Sequence, residues 1–327
     1  MNFDLNKAIE FLLARGNLPI LYWLKKDILE VPVEREYKNL KKFAARIRIL
    51  KRQKPDGGWH HKIFNGPPQW KKTYHIVITL RNILELYKYG CNQEDEEIQK
   101  AAQFLFSTQS QEGYFWNGYI QEYMPTYHAI TLESLCMFGW DQDSRTQKGF
   151  EWLLNYRQND GGWAIPYRTL DENELHNQFN CEEKERDIPL KPDRSKRSSP
   201  LVTGIVLRAL ASSILWRNRK ETKEAGKLLM DCFFKPDEYE EKHNVSYWQD
   251  ITYPFWGTDI LSSMDSLSKI GFGLENEEIQ RGLDWLSQRQ KKEGYWEAQN
   301  KKSTLEDHLW VTLAILRVIK RFGLIEL

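Results

Sequence analysis

Three histidines occupy matching places along this 327-residue chain: Tyr74-His75, Tyr127-His128 and Asp307-His308 each open an apolar helical pattern. The strings TYHIVIT and TYHAIT even share Thr-Tyr-His. An imidazole titrates near neutrality, so it can act as general acid, general base or metal ligand. The same positions also suit a plainer role, a threonine cap with tyrosine and histidine completing a polar rim. Asp250 and Asp307 add carboxylates at helix starts, fit for acid catalysis or for holding a cation. Asp259 falls inside an apolar pattern, where a carboxylate must be hydrogen-bonded or put to use. Thr252, Tyr253, Trp256 and Trp310, with Tyr74 and Tyr127, bring hydroxyls and rings to the same starts. Such rings can wall a pocket and stabilise carbocations, or simply fill a core. Asp141-Gln142-Asp143-Ser144 precedes an amphipathic stretch and reads as a helix cap. His176 and Cys181 lack the second pair of ligands that a metal site requires.

A repeat positions these groups. KRQKPDGGW (51–59) and RQNDGGW (157–163) are near copies, with weaker versions in QSQEGYFW (109–116) and RQKKEGYW (289–296). Tryptophans fall at Trp59, Trp116, Trp163, Trp248 and Trp296, a period of about 50 once the polar insertion 165–198 is set aside. Before each turn lies an amphipathic helical pattern (40–53, 96–109, 145–158, 222–234, 277–290), and after it a more apolar one. Residues 4–31 supply a sixth pair. Six outer and six inner helices predict an all-α, (α/α)6 toroid, a single domain over 1–327. The last helix is as apolar as the internal ones, which favours a closed ring over an open solenoid with polar caps. Inner helices of such a ring start at one rim, so the groups named above should converge there. The insertion leaves from the same rim. It is either a lid, with Lys191, Arg194, Lys196 and Arg197 drawing an acidic substrate, or a solvated loop.

The Gln-x-x-Asp-Gly-Gly-Trp turns resemble the repeats of the terpenoid cyclase and protein prenyltransferase superfamily, squalene-hopene cyclases in particular. That resemblance spans nearly the whole chain. It implies that the turns staple the ring, Asp accepting from the helix that follows and Trp packing across to its neighbour. Asp250-Ile251-Thr252-Tyr253-Pro254-Phe255-Trp256 resembles the Asp-x-Cys-Tyr-Ser-Phe-Trp segment of prenyltransferase β subunits, which implies Asp250 and His308 as zinc ligands. Thr252 stands where that family has its thiolate, so zinc lacks its soft ligand, and an α-subunit partner is not expected. The Asp-x-Asp-Asp acid of class II cyclases has no counterpart; Glu306-Asp307-His308 comes nearest. The resemblance therefore implies a small apolar substrate, an isoprenoid among the candidates, bound in the central cavity. Asp307, His308, Asp250, His75 and His128 are the catalytic candidates. Tyr74, Tyr127, Thr252, Tyr253, Trp256, Asp259 and Trp310 are the substrate-binding ones. A carbohydrate-active (α/α)6 lyase or hydrolase, and a non-catalytic binding module, remain the alternatives.

Composition narrows the classes. The net charge of +1 gives no footing for nucleic acid, and no apolar run reaches the ~20 residues of a membrane span. Four scattered cysteines (Cys91, Cys136, Cys181, Cys232) fit reduced thiols in a cytoplasmic protein.

Overall fold

The computed structural model describes residues 2–60, 71–115, 124–173, 189–239, 244–299 and 302–325. Trp116 and residues 174–188 of the insertion, with His176 and Cys181, lie outside the described residues. Helices alternate between an outer and an inner layer. The outer ones are Leu5–Arg15, Glu96–Phe106, Ser144–Leu154, Lys220–Asp231 and Glu277–Ser287, with a broken pair, Glu34–Leu40 and Ala44–Leu50, in the second place. The sequence predicts one helix over 40–53 there. Phe43 instead turns extended, where its ring meets Tyr89 at 5.3 Å, and splits the helix.

Inner helices are Leu18–Trp23 (continued by the π-helical turn Leu24–Ile28), Lys71–Lys88, Pro125–Met137, Pro200–Ser212, Ile260–Lys269 and Leu305–Arg321. Apolar residues surround most of them, because each has neighbours on several sides; Pro200–Ser212 is buried from Val202 to Ala211. They pack in sequence order, and Leu305–Arg321 then meets the first inner helix. Trp23 closes the circle, its indole donating to the Lys88 carbonyl at 2.8 Å and its ring stacking on Tyr87. One apolar core runs from Ala8 to Phe322.

The glycine turns hold neighbouring hairpins together, by a device the motif does not advertise. Gln53 donates through Nε2 to the Gly57 carbonyl in its own turn and to the Glu97 carbonyl at the start of the next outer helix, at 2.8 and 2.7 Å. Gln109 does the same with Gly113 and Arg145, and Gln290 with Gly294 and Asp4. That last bridge joins the sixth hairpin to the first. In the third turn Arg157 takes the glutamine's place, donating to Gly161 at 2.8 Å and Glu221 at 3.4 Å, and adds an ion pair with Glu224 at 2.8 Å.

The expected roles of aspartate and tryptophan change accordingly. Asp56 and Asp160 accept from the amide two residues on, closing their own turns; Asp160 also accepts from Ser198 at 2.8 Å, just ahead of the following helix. The described turn tryptophans hydrogen-bond within their own hairpins, and Trp296 also packs across to Phe3, just ahead of the first hairpin, at 6.1 Å. Trp59, Trp163 and Trp296 donate their indoles to Ile49, Leu153 and Leu286, and their amides to Thr79, Thr203 and Thr312.

Glycine is required at the first turn position for two reasons. Gly57 has φ +88°, and a Cβ there would sit 2.2 Å from the Lys100 carbonyl oxygen of the next helix. Gly57→Ala should therefore cost about 2–4 kcal/mol, strain and overpacking together. Gly323, at φ +72° with nothing within 4 Å, isolates the backbone part; its alanine variant should cost about 1 kcal/mol. Urea midpoints of the two variants decide the point, and equal losses would remove the inter-hairpin contact from the explanation.

Candidate functional site

A cavity of about 550 Å³ lies within the inner ring. Its walls are the last turns of the inner helices: Leu84 and Tyr87, Glu133 and Met137, Asp265 and Lys269, Ala314 and Arg317. Tyr253, Pro254 and Phe255 form its floor. They belong to the segment that precedes inner helix Ile260–Lys269, and that segment enters the barrel from the opposite rim. Thr258 donates to the Leu201 carbonyl at 2.6 Å, Trp256 sits near Tyr127, and Arg208 donates to the Gly257 carbonyl at 2.9 Å. Farther in, Tyr253 stacks on Trp310, and Arg317 Nη1 donates to its hydroxyl at 3.2 Å. The segment thus fills the barrel axis on the side where the inner helices begin, and the cavity opens where they end.

Charge inside this wall is paired. Arg317 donates through Nε to Asp27 at 2.7 Å; Lys320 meets Glu30 at 2.7 Å and donates to the Asp27 and Ile28 carbonyls. Asp265 is held by Lys269 at 2.7 Å and by Arg321. Burial pushes the Asp265 carboxyl up, but the Lys269 and Arg321 charges outweigh it and hold it down, to about 2. Glu133 accepts from Arg208 Nε through both oxygens, at 2.9 and 2.7 Å, with Arg208 only 1% exposed. An isolated charge there would cost several kcal/mol, so each demands its partner. Burial also raises the Tyr87 and Tyr253 phenols above their ordinary value, which keeps both protonated at neutral pH.

Of the residues singled out from sequence, Tyr253 lies in the cavity floor, and the others are distributed around the other rim. His128 is buried, with Nε2 3.0 Å from the Gly149 carbonyl and its ring edge-on to Phe115; burial lowers its pKa to about 3, so it is neutral. His75 stacks flat on His60 at 4.0 Å, and His60 pairs with Asp56. Tyr74 is 39% exposed. Asp307 forms a capping box with Thr304. His308 Nδ1 accepts from the Ala298 amide at 3.0 Å, and its ring stacks on Tyr295. Asp250 ends the turn Val245–Gln249 and is exposed; partial desolvation raises its pKa. Thr252 is half-buried. Asp259 caps inner helix Ile260–Lys269 rather than lying within it, in a capping box with Ser262. Trp256 and Tyr127 approach each other at 6.3 Å with Arg81 over the Trp256 ring, and Trp310 is fully buried beneath Lys88.

These positions do not fit zinc. Asp250, Thr252 and His308 include no thiolate, and the backbone at Ala298–Gln299 runs between them, bonded to His308 on one side and to Ile251 on the other. Among the described residues no three His, Cys, Asp or Glu side chains gather at metal-binding range.

Sequence reading missed the charged wall, although a signal for it exists. Glu133 in TYHAITLESLC, Arg208 in SPLVTGIVLRALAS and Arg317 in WVTLAILRVI are lone charges in apolar helices. Such groups are retained only where a partner or ligand meets them.

Asp259 offers a check on these electrostatics. Burial, its largest influence, outweighs the hydrogen bonds from Ser262 and raises its pKa from 3.8 to about 7. Protonation therefore favours the folded chain, and the wild type loses stability as pH rises from about 4 through 7. Asp259→Asn keeps a capping side chain without the titration. Its Tm should exceed the wild-type value at pH 8 and match it at pH 4; the same offset at both pH values would contradict this assignment.

Comparison with known proteins agrees with the architecture. A family model described as the squalene-hopene cyclase C-terminal domain matches residues 72–183. No curated protein matches the sequence. Among solved structures, a polysaccharide lyase is similar over 97% of both chains, at 9% identity and a TM-score of 0.50. A variant of the type II terpene cyclase MstE from Scytonema, bound to geranylgeranyl dihydroxybenzoate, matches over 88% of this chain and 98% of its own, at 12% identity and a TM-score of 0.36. A glycosidase matches over 90% of this chain and 100% of its own, at 13% identity and a TM-score of 0.30. The described residues thus form a helical toroid, and the stretch 72–183 is similar in sequence to a squalene-hopene cyclase C-terminal domain.

Proposed function

We propose that the cavity at the ends of the inner helices is where this protein binds and transforms its substrate, and that the substrate carries polar oxygens, as a carbohydrate does. One observation supports this above the others: among the described residues, every carboxylate on the cavity wall is ion-paired. Protonating an alkene calls for a strong, unpaired acid in a dry chamber, and Asp265, held at about 2 by two cations, keeps no proton to give. Paired charges instead present fixed donors and acceptors to hydroxyl groups. Tyr253 is the proposed acid. Arg317 donates to its oxygen, so the phenol's own O–H is left to point at a ligand oxygen, and the raised pKa keeps that proton in place. Tyr87, Tyr253 and Phe255 offer ring faces for stacking.

A second reading has its own support. The match of residues 72–183 to a squalene-hopene cyclase domain, with the aromatic floor, favours an isoprenoid as the substrate. In that case Asp250, Asp307, His75 and His308 remain the proposed acids and anchors of the opposite rim, with Tyr74, Tyr127, Thr252 and Trp256 beside the chain of the substrate, while His128, Asp259 and Trp310 support that rim from within. In either reading the whole chain acts as one cytoplasmic domain; no helix among the described residues is long and apolar enough to cross a membrane.

Titration calorimetry with neutral and acidic oligosaccharides, farnesol and squalene separates the two. Binding of an oligosaccharide, with turnover falling about 10²-fold or more in Tyr253→Phe, is the expected result. Binding confined to the polyenes would overturn the first reading and install the second.

A further inference from the structure

Among the described residues, four cations line the cavity, Lys269, Arg317, Lys320 and Arg321, together with four carboxylates, Asp27, Glu30, Glu133 and Asp265. Glu133 is not available to them, because both its oxygens accept from Arg208, which stands behind the wall. Three carboxylates therefore face the four lining cations. Asp27 takes Arg317, and Glu30 takes Lys320. Asp265 is left with two, Lys269 and Arg321. The surplus positive charge is thus located at a single place on the wall.

That place is accessible. The Lys269 and Arg321 side chains keep 35% and 30% of their surface, whereas Asp265 between them keeps 8%. Arg321 is also held in position, with Nε donating to Ser268 Oγ at 2.8 Å. Its guanidinium presents a planar fork suited to a carboxylate. Lys320 is a poorer candidate, since its ammonium already serves two carbonyls and Glu30.

We propose that the ligand of this cavity carries a single carboxylate, seated between Lys269 and Arg321 on the face away from Asp265. One negative charge balances the surplus. A diphosphate would bring further negative charge against Asp265, Asp27 and Glu30, where nothing remains to neutralise it. The inference rests on the cavity being the ligand site, as proposed above, and is indifferent to whether the body of the ligand is a sugar or a hydrocarbon.

Matched pairs test it: a galactose trisaccharide carrying one galacturonate residue against neutral galactotriose, and farnesoic acid against farnesol, each titrated into the full chain by calorimetry. In whichever pair binds, the acid should bind at least about 10-fold tighter than the neutral member. Lys269→Gln and Arg321→Gln each leave Asp265 one cation, so the wall stays paired, and each should pull the acid-to-neutral ratio toward one. Asp265→Asn, checked for fold by circular dichroism, should raise that ratio, which a merely structural role for the triad would not do. A ratio near one in the wild type, or one unmoved in both cation variants, overturns the carboxylate assignment alone. Binding by neither pair overturns the cavity reading and the assignment with it.

Discussion

The ring depends on one side chain per turn reaching backward and forward at once. A glutamine, or in the third turn Arg157, ties the carbonyl of its own glycine to the first turn of the next outer helix. Each bond contributes about 1 kcal/mol net, a modest amount alone. Repeated around the barrel, the bridges set the spacing between hairpins, and Gln290 applies the same spacing between the last hairpin and Asp4 in the first. Closure follows from the repeat unit itself. The glycine beside each bridge has a positive φ, and at Gly57, Gly113 and Gly294 the next helix's backbone approaches where a side chain would otherwise stand.

A closed inner ring creates the second constraint, an interior where charge must be paired. The inner helices are apolar where they touch each other and charged where they face the lumen, so Glu133 and Arg208 bond across neighbouring helices and Arg317 reaches Asp27 from the first hairpin. These pairs add little net stability, since desolvation offsets most of the attraction. Their value lies in placing donors and acceptors rigidly around a space that the 251–258 segment closes from the other side. The floor and the charged wall meet at Tyr253 and Arg317, which ties the one irregular intrusion into the barrel to the chemistry of its interior.

Helical pairs, the repeat and the toroid were legible in the sequence because they rest on local signals. Amphipathic against apolar periodicity separates outer from inner helices, and Asp-Gly-Gly-Trp marks each return. The bridging residue was harder to see: Gln158 stands beside Arg157 and looks like the glutamine of the turn, yet it is Arg157 that lies six residues before its tryptophan, as Gln53 does, and makes the bridge. Position of the cavity was not legible at all. Nothing in DITYPFW says that it bends into the barrel rather than lining its rim, since that outcome depends on Trp310, Arg208 and Arg317, distant in sequence. Asp259 illustrates the same limit at the scale of one residue. A shift of the helix start to Ile260 turns a buried acid within a helix into its cap.

The central claim is that ligand enters at the ends of the inner helices, and hydrogen exchange read by mass spectrometry tests it most directly. The galactose trisaccharide carrying one galacturonate and farnesoic acid, each at saturating concentration, are compared with the free protein. The account predicts added protection at 84–88, 133–137, 265–269 and 314–321, with little change at 74–75, 127–128 and 305–308. Protection centred on the latter segments, with the former unaltered, would contradict it and return the chemistry to the rim where the histidines stand.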